Sequence, residues 1–388
     1  MIRPLSYTHQ SISQEDIDAV IRVLRSKWIT QGPAIERFER AVADYCGAKC
    51  AVAVSSGTAA LHIAYLAAGL SRGDELWTSP NTFAATANGA LYCGASVNFV
   101  DIDSSTYNLS IEQLKLKLAR VANRGTFPKI VVPVHFGGQS CGMEKIAELA
   151  RRYKFRIIED ATHALGGSYK KGRVGSCQFS EMAVFSFHPV KIITTGEGGM
   201  VLTNRKDLYE RLLRLRNHGI TRDPRLMHAK PPGPWYYEQL ELGFNYRITD
   251  IQAALGISQL KRVNRFIGRR RFLAERYDKL LRELPVTLPW QHPDSKSSWH
   301  LYVIRFDQNK IKKTSRQIMQ ELRKSGISAN LHYIPVYRHP YYRRMGFKRT
   351  DYPETEKHYK EAMSLPLFYG LMERHQDSVV HCLRKILK

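Results

Sequence analysis

Phe155-Arg156-Ile157-Ile158-Glu159-Asp160-Ala161-Thr162-His163, residues 155–163, sets a short apolar run of strand length directly before an acidic pair. Consecutive apolar positions suit a strand covered on both faces, which is how parallel sheets bury their strands. The carboxylate that ends such a strand lies at its carboxyl edge, where open α/β sheets take their ligands. Burying it there is expensive unless a positive group meets it. Asp160 therefore either caps the next helix or faces a cation, and a protonated ring nitrogen is one cation that would serve.

The same alternation repeats on either side. Ala51–Val54 reads as a strand and Thr58–Gly69 as a helix, with Leu61, Ala64, Tyr65 and Ala68 at helical spacing. Leu76–Ser79, Ser96–Asp101 and Ile130–Phe136 read as strands, followed by helices from about Thr82, Ile111 and Met143. Strands separated by helices make βαβ units, so an α/β domain with a large, mostly parallel sheet is expected. Ala183–Phe187 and Met200–Thr203 read as two further strands near the end of that sheet. Thr249 to about Leu284 reads as one near-continuous helix without internal proline, opened by Asp250, where negative charge is favoured. A helix of that length commonly links domains. The expected division is a large domain over residues 1–250, including an N-terminal arm, and a smaller α+β domain over residues 251–388. The latter is built from Trp299–Phe306, a helix at Ser315–Lys324, Ser328–His332 and a last helix near Asp377–Leu387.

The 388 residues are 43% hydrophobic and 10% aromatic, as in a soluble globular protein. No apolar run is long enough for a transmembrane helix. The N-terminus, Met1 to Tyr7, has no apolar signal core, so a cytoplasmic protein is expected. Six scattered cysteines form no disulfide framework, and the one close pair, Cys46 and Cys50, has no second pair or histidine cluster to complete a zinc site. The net charge is +24, of which +16 falls in residues 251–388. Arg265, Arg269, Arg270 and Arg271 share the long helix, and Arg343, Arg344, Lys348 and Arg349 follow in a tyrosine-rich loop. Such charge attracts phosphate backbones, but no nucleic-acid-binding motif accompanies it. A solvated basic face, or attraction of a small anionic substrate, is the simpler reading.

Three further segments carry chemistry. Ser55-Ser56-Gly57-Thr58-Ala59 stands between strand and helix, where backbone N–H groups close on an anion or the hydroxyls simply cap the helix. Phe185-Ser186-Phe187-His188-Pro189-Val190-Lys191 delivers one lysine from an apolar strand into a loop that ends in Gly196-Glu197-Gly198-Gly199. A lysine in apolar surroundings gives up its proton more easily and becomes an amine nucleophile for an aldehyde. Asn245 and Arg247, just before the long helix, either reach an anion or cap that helix.

Taken together and in this order, these motifs resemble the DegT/DnrJ/EryC1/StrS family of pyridoxal-phosphate-dependent sugar aminotransferases. Trp28-Ile29-Thr30-Gln31-Gly32-Pro33, Ser56-Gly57-Thr58-Ala59, Glu159-Asp160-Ala161, Gly196-Glu197-Gly198-Gly199, Asn245-Tyr246-Arg247 and His332-Tyr333-Ile334-Pro335 carry the resemblance over some 300 residues. It implies the fold type I of pyridoxal-phosphate enzymes, like aspartate aminotransferase, with pyridoxal 5′-phosphate as cofactor. It also implies glutamate as amino donor and a homodimer with shared active sites. By the same resemblance, Lys191 is the Schiff-base lysine and Asp160 the partner of the pyridine nitrogen. Phe83 stacks on the ring, and Gly57, Thr58 and Ser186 hold the phosphate with Asn245 of a second subunit. His163 stands where many members carry glutamine beside the cofactor's phenolic oxygen. The stretches around Lys191 and His163 look most like members that aminate C4 of a UDP-linked 4-keto-6-deoxy-N-acetylhexosamine of the pseudaminic acid type; UDP-D-series and dTDP sugars are the alternatives. This implies nucleotide-sugar contacts at Tyr7, Lys27, Trp28, Ile29, Thr30, Gly57, Ser186, Asn245, Leu331, His332, Tyr333 and Ile334. A non-catalytic regulator on the same fold is a less favoured alternative, against which the intact Lys191 and Asp160 count.

Overall fold

The computed structural model describes residues 5–122 and 127–388. Met1–Pro4, part of the stretch on which the signal reading rests, lie outside the described residues. Seven strands form the central sheet: β1 (Cys50–Val54), β2 (Glu75–Thr78), β3 (Ser96–Phe99), β4 (Ile130–Val132), β5 (Arg156–Asp160), β6 (Met182–Ser186) and β7 (Gly199–Thr203). Their order is β1-β7-β6-β5-β4-β2-β3. All neighbours are parallel except β7, which runs antiparallel to both β6 and β1. The mostly parallel α/β domain expected from sequence is thus present.

Side-chain alternation explains why these strands read as unbroken apolar runs. Val52, Val54, Met182, Val184 and Val201 enter the core on one face of the sheet. Ala51, Ala53, Ala183, Phe185, Met200 and Leu202 enter the core on the other. Successive residues of a strand point to opposite faces, so a sheet covered on both sides needs apolar groups at every position.

The registers align several chain ends at one edge of the sheet. Val54 and Ser186 both pair with Gly199, and Asp160 pairs with Val184 one strand over. The carboxyl ends of β1, β5 and β6 therefore meet the amino end of β7. Gly199 is required there: a Cβ on it would stand 2.2 Å from the Ser56 carbonyl oxygen.

The long C-terminal helix departs from expectation. It is two helices, Asp250–Lys261 and Val263–Leu281, separated at Arg262, whose φ of −103° and ψ of 1° are not helical. No proline or glycine marks the break. The Arg262 guanidinium instead reaches the buried Asp16 carboxylate, which also accepts from Gln259 Nε2 at 2.7 Å. The first helix opens with Thr249 as N-cap, while the Asp250 carboxylate accepts from the Gly32 and Ala34 backbone N–H groups at 2.7 and 2.8 Å. Asp250 thus caps a second helix, Pro33–Cys46, distant in sequence. Val263, Phe266 and Ile267 still pack in the core of the large sheet, whereas Leu273, Ala274, Tyr277 and Leu281 pack in that of the small domain.

In the small domain, Tyr302–Phe306 pairs with Val286–Thr287 and with Ala362–Leu365. Trp299 has a φ of 53° and stands outside the strand expected to begin with it. Ser328–His332 forms no ladder beyond a bridge between Asn330 and Ser364. Beyond the bridge the backbone donors go to side chains: Leu331 N–H to Asn330 Oδ1 and Tyr333 N–H to Asn81 Oδ1.

Of the four arginines named on the linking helix, Arg265 stays exposed, and the other three are held by the protein. Arg269 pairs with Glu373 and donates to the Leu371 carbonyl, and Arg271 donates to the Ser297 carbonyl. Arg270 is buried and donates to the carbonyls of Trp299, His300 and Leu367. Much of this charge ties the helix to the small domain. No helix among the described residues is long and apolar enough to cross a membrane.

Candidate active site

A cleft of about 600 Å³ opens at the sheet edge just described. Tyr7, Gly57, Thr58, Phe83, Asp160, Ser186, Lys191, Leu331, His332 and Tyr333, all expected in a site, line it together.

Of the acidic pair that ends β5, only one member faces the cleft. Glu159 accepts from Ser180 and meets His135 Nε2 at 2.7 Å on the other side of the sheet. Asp160 is buried, and its Oδ2 accepts from the Thr86 hydroxyl at 2.7 Å while Oδ1 accepts from the Thr162 N–H at 3.2 Å. No ion pair to Asp160 occurs among the described residues. A buried carboxylate held by neutral donors at the wall of a cleft is a site for a cation. Thr86 lies one helical turn beyond Thr82, whose hydroxyl it meets at 2.8 Å. That i, i+4 pair is the signal the sequence carries for it.

Lys191 reaches the cleft from the loop between β6 and β7. Burial lowers its ammonium pKa to about 8, against the opposing pull of Asp160. The loop is fixed by backbone bonds from Phe187 N–H to the Gly198 carbonyl (2.9 Å) and from Thr195 N–H to the Phe187 carbonyl (3.0 Å).

The helix Gly57–Ala67 points its N-terminus at the cleft. Ser56 is its N-cap and accepts from the Ala59 N–H at 3.1 Å. The N–H groups of Gly57 and Thr58, ahead of the first helical hydrogen bonds, suit an anionic oxygen. A Cβ on Gly57 would come 2.9 Å from Ser186 Cβ, so glycine lets the start of this helix close on the end of β6. Phe83, the N-cap residue of the helix Ala84–Tyr92, is 62% exposed and offers its ring to the cleft.

His163 is buried behind this wall rather than lining it. Its Nε2 lies 2.8 Å from the Tyr333 hydroxyl and its Nδ1 accepts from the Gly137 N–H at 3.4 Å. Burial, then the nearby Lys191 and His332 charges, drive its pKa well below the ordinary value. His300, which the sequence reading missed, lines the cleft with its ring 4.4 Å from that of His163. Burial and the charge of Lys191 likewise drop His332 to about 3. These imidazoles are neutral, so the buried charges facing the cleft are Asp160 and Lys191, with the exposed Glu197 at its rim. No pattern in the sequence announces His300, which arrives on the irregular segment after Trp299.

Asn245 is exposed and bridges to Asn217, away from this cleft. Lys27, Trp28, Ile29 and Thr30 are exposed as well, with Trp28 and Ile29 about half open, and Ile334 turns outward. None of these lines the cleft of its own chain.

The model of the DegT/DnrJ/EryC1/StrS aminotransferase family matches residues 10–384. The spore coat polysaccharide biosynthesis protein SpsC of Bacillus subtilis is 38% identical over 387 residues, covering 99% of this chain and 97% of the relative. The UDP-4-amino-4,6-dideoxy-N-acetyl-beta-L-altrosamine transaminase of Campylobacter jejuni is 38% identical over 386 residues, covering 99% and 98%. Among solved structures, Helicobacter pylori PseC, an aminotransferase involved in the biosynthesis of pseudoaminic acid, superposes with a TM-score of 0.90 at 31% identity, covering 99% of each chain. The PLP form of Spr1654 of Streptococcus pneumoniae gives 0.88 at 26% identity, covering 99% of this chain and all of that one.

Proposed function

The chain belongs to the DegT/DnrJ/EryC1/StrS aminotransferase family, and from that premise we propose that it moves an amino group from glutamate to C4 of a UDP-linked 4-keto-6-deoxy-N-acetylhexosamine. It is a pyridoxal-phosphate-dependent aminotransferase. The observation that carries the reading is the opposition of an amine and a buried carboxylate, Lys191 and Asp160, across one cleft beside a helix N-terminus. These groups fit the cofactor: Lys191 would bond its aldehyde, Asp160 would answer a protonated ring nitrogen, Phe83 would cover the ring, and Gly57, Thr58 and Ser186 would take the phosphate. When bound, the cofactor supplies an electron sink for the substrate carbon.

In this proposal Lys191, once released by the amino donor, moves a proton at the reacting carbon in both halves of the reaction. Its lowered pKa suits that exchange near neutrality. Asp160 keeps the ring nitrogen protonated throughout, and the neutral histidines leave its charge uncompensated. Tyr7, Leu331, His332 and Tyr333 are proposed to bind the nucleotide sugar from this chain. Lys27–Thr30, Ile334 and Asn245 would complete the site of a second copy, and the exposed Trp28 and Ile29 are the surface such a homodimer would cover. With a nucleotide sugar as substrate, the proposed location is the cytoplasm.

Two measurements follow. Capture of added pyridoxal phosphate by cofactor-free protein should accelerate about tenfold per pH unit up to about pH 8 and then level, because only the unprotonated Lys191 amine attacks. A plateau already reached at pH 6 would remove the buried-ammonium account. A glutamate-dependent amination panel of UDP-, dTDP- and GDP-linked 4-keto-6-deoxysugars should favour the UDP-N-acetylhexosamine. Preference for a dTDP sugar would replace that substrate while leaving the cofactor chemistry in place.

A further inference from the structure

We propose that the Tyr333 hydroxyl is a hydrogen-bond donor to an oxygen at the reaction centre, oriented for that task by His163. The inference rests on the aminotransferase reading of the cleft and adds a donor to it.

The direction of the hydrogen bonds carries the argument. The Gly137 N–H points at His163 Nδ1, which can only accept it, so the imidazole proton resides on Nε2. Nε2–H then donates to the Tyr333 oxygen 2.8 Å away. With its oxygen serving as acceptor, the phenol has its own O–H left to give. Tyr333 lines the cleft while His163 does not, so that hydrogen is available on the cleft side. Burial, with the negative charge of Asp160, holds the phenol in its protonated form, and burial holds the imidazole neutral. The residue is also fixed as a whole. Its N–H donates to Asn81 Oδ1 at 3.2 Å, its ring stacks on His163 at 28°, and it lies 6.3 Å from Phe83, the ring offered to the cofactor's face.

Two oxygens there share the chemistry of a hydrogen-bond acceptor: the phenolic oxygen of the cofactor and the carbonyl oxygen of a keto substrate. A donor against the phenolic oxygen stabilises its negative charge without help from the neighbouring nitrogen, so that nitrogen releases its proton at lower pH. A donor against the carbonyl oxygen accelerates the chemical step alone.

The test is Tyr333→Phe in the holoenzyme, read first by pH titration of the visible cofactor band with no substrate present. An upward shift of the midpoint by about one to two pH units assigns the phenolic oxygen as acceptor. An unmoved midpoint with kcat reduced about 10- to 100-fold at little-changed KM assigns the substrate carbonyl. An unmoved midpoint with unchanged kcat overturns the proposal. Should Tyr333→Phe fail to fold, His163→Leu keeps the hydroxyl but removes its orienting partner. It should change whichever quantity responds in the same direction but by less, and no change in either overturns the proposal equally. Wild-type protein that develops no visible band with pyridoxal phosphate would instead remove the aminotransferase reading itself.

Discussion

Lys191→Ala protein is expected to fold normally, to bind pyridoxal phosphate only reversibly, and to lose transamination by about 10⁴-fold or more. Three roles are proposed for this side chain: covalent anchor, proton carrier in the glutamate half, and proton carrier in the sugar half. The buried histidines offer no replacement. His163, His300 and His332 are buried neutral imidazoles, driven too low in pKa to carry a proton near neutrality. Folding should be indifferent to the loss. Lys191 makes no ion pair among the described residues, and removing a partly desolvated ammonium relieves a cost rather than adding one. The check is a visible spectrum before and after gel filtration beside a steady-state assay; retention of the band through the column, or activity within tenfold of the parent, would contradict the assignment.

Asp160→Asn should separate stability from catalysis. Without cofactor, the variant exchanges a buried carboxylate for a neutral amide of the same shape. It keeps one acceptor oxygen for Thr86 or the Thr162 N–H and leaves the other donor short by one hydrogen bond. That loss and the relief of charge burial nearly offset, so the cofactor-free protein should unfold within about 1 kcal/mol of the parent. With cofactor, no negative charge remains to hold the ring nitrogen's proton, and kcat should fall about 10²- to 10³-fold. Chemical denaturation and initial rates on the same preparations test both halves of the statement. A large loss of stability in the cofactor-free form, with unchanged kcat once loaded, would make Asp160 a structural residue.

What could be read from residue order was whatever depends on local periodicity. The strand around Ile157 and Ile158, the glycine run after Lys191 and the Ser56–Thr58 turn were legible because each obeys a short-range rule: a doubly buried strand, a tight reversal, an N-cap. The break at Arg262 was not, since it comes from a side chain drawn to Asp16, 246 positions away. Nor was the fate of the basic run, because carbonyls of Trp299, His300, Leu367 and Leu371 have no signature in sequence. Within the site, Asp160 could be singled out by its place at the end of the strand, but that Glu159 faces away, toward His135 and Ser180, had no signature in sequence. His300 was invisible for the same reason: the irregular turn after Trp299 delivers it, and no periodic element.

The central claim is that one cleft with one lysine serves two substrates in turn, glutamate and a UDP-linked keto sugar. The most direct test follows the visible cofactor band of the holoenzyme through a single cycle. Glutamate alone should discharge the band with formation of 2-oxoglutarate. Addition of the UDP-4-keto-6-deoxy-N-acetylhexosamine should then restore it, with an equivalent of UDP-amino sugar formed. A band that glutamate discharges but no nucleotide keto sugar restores would contradict the account.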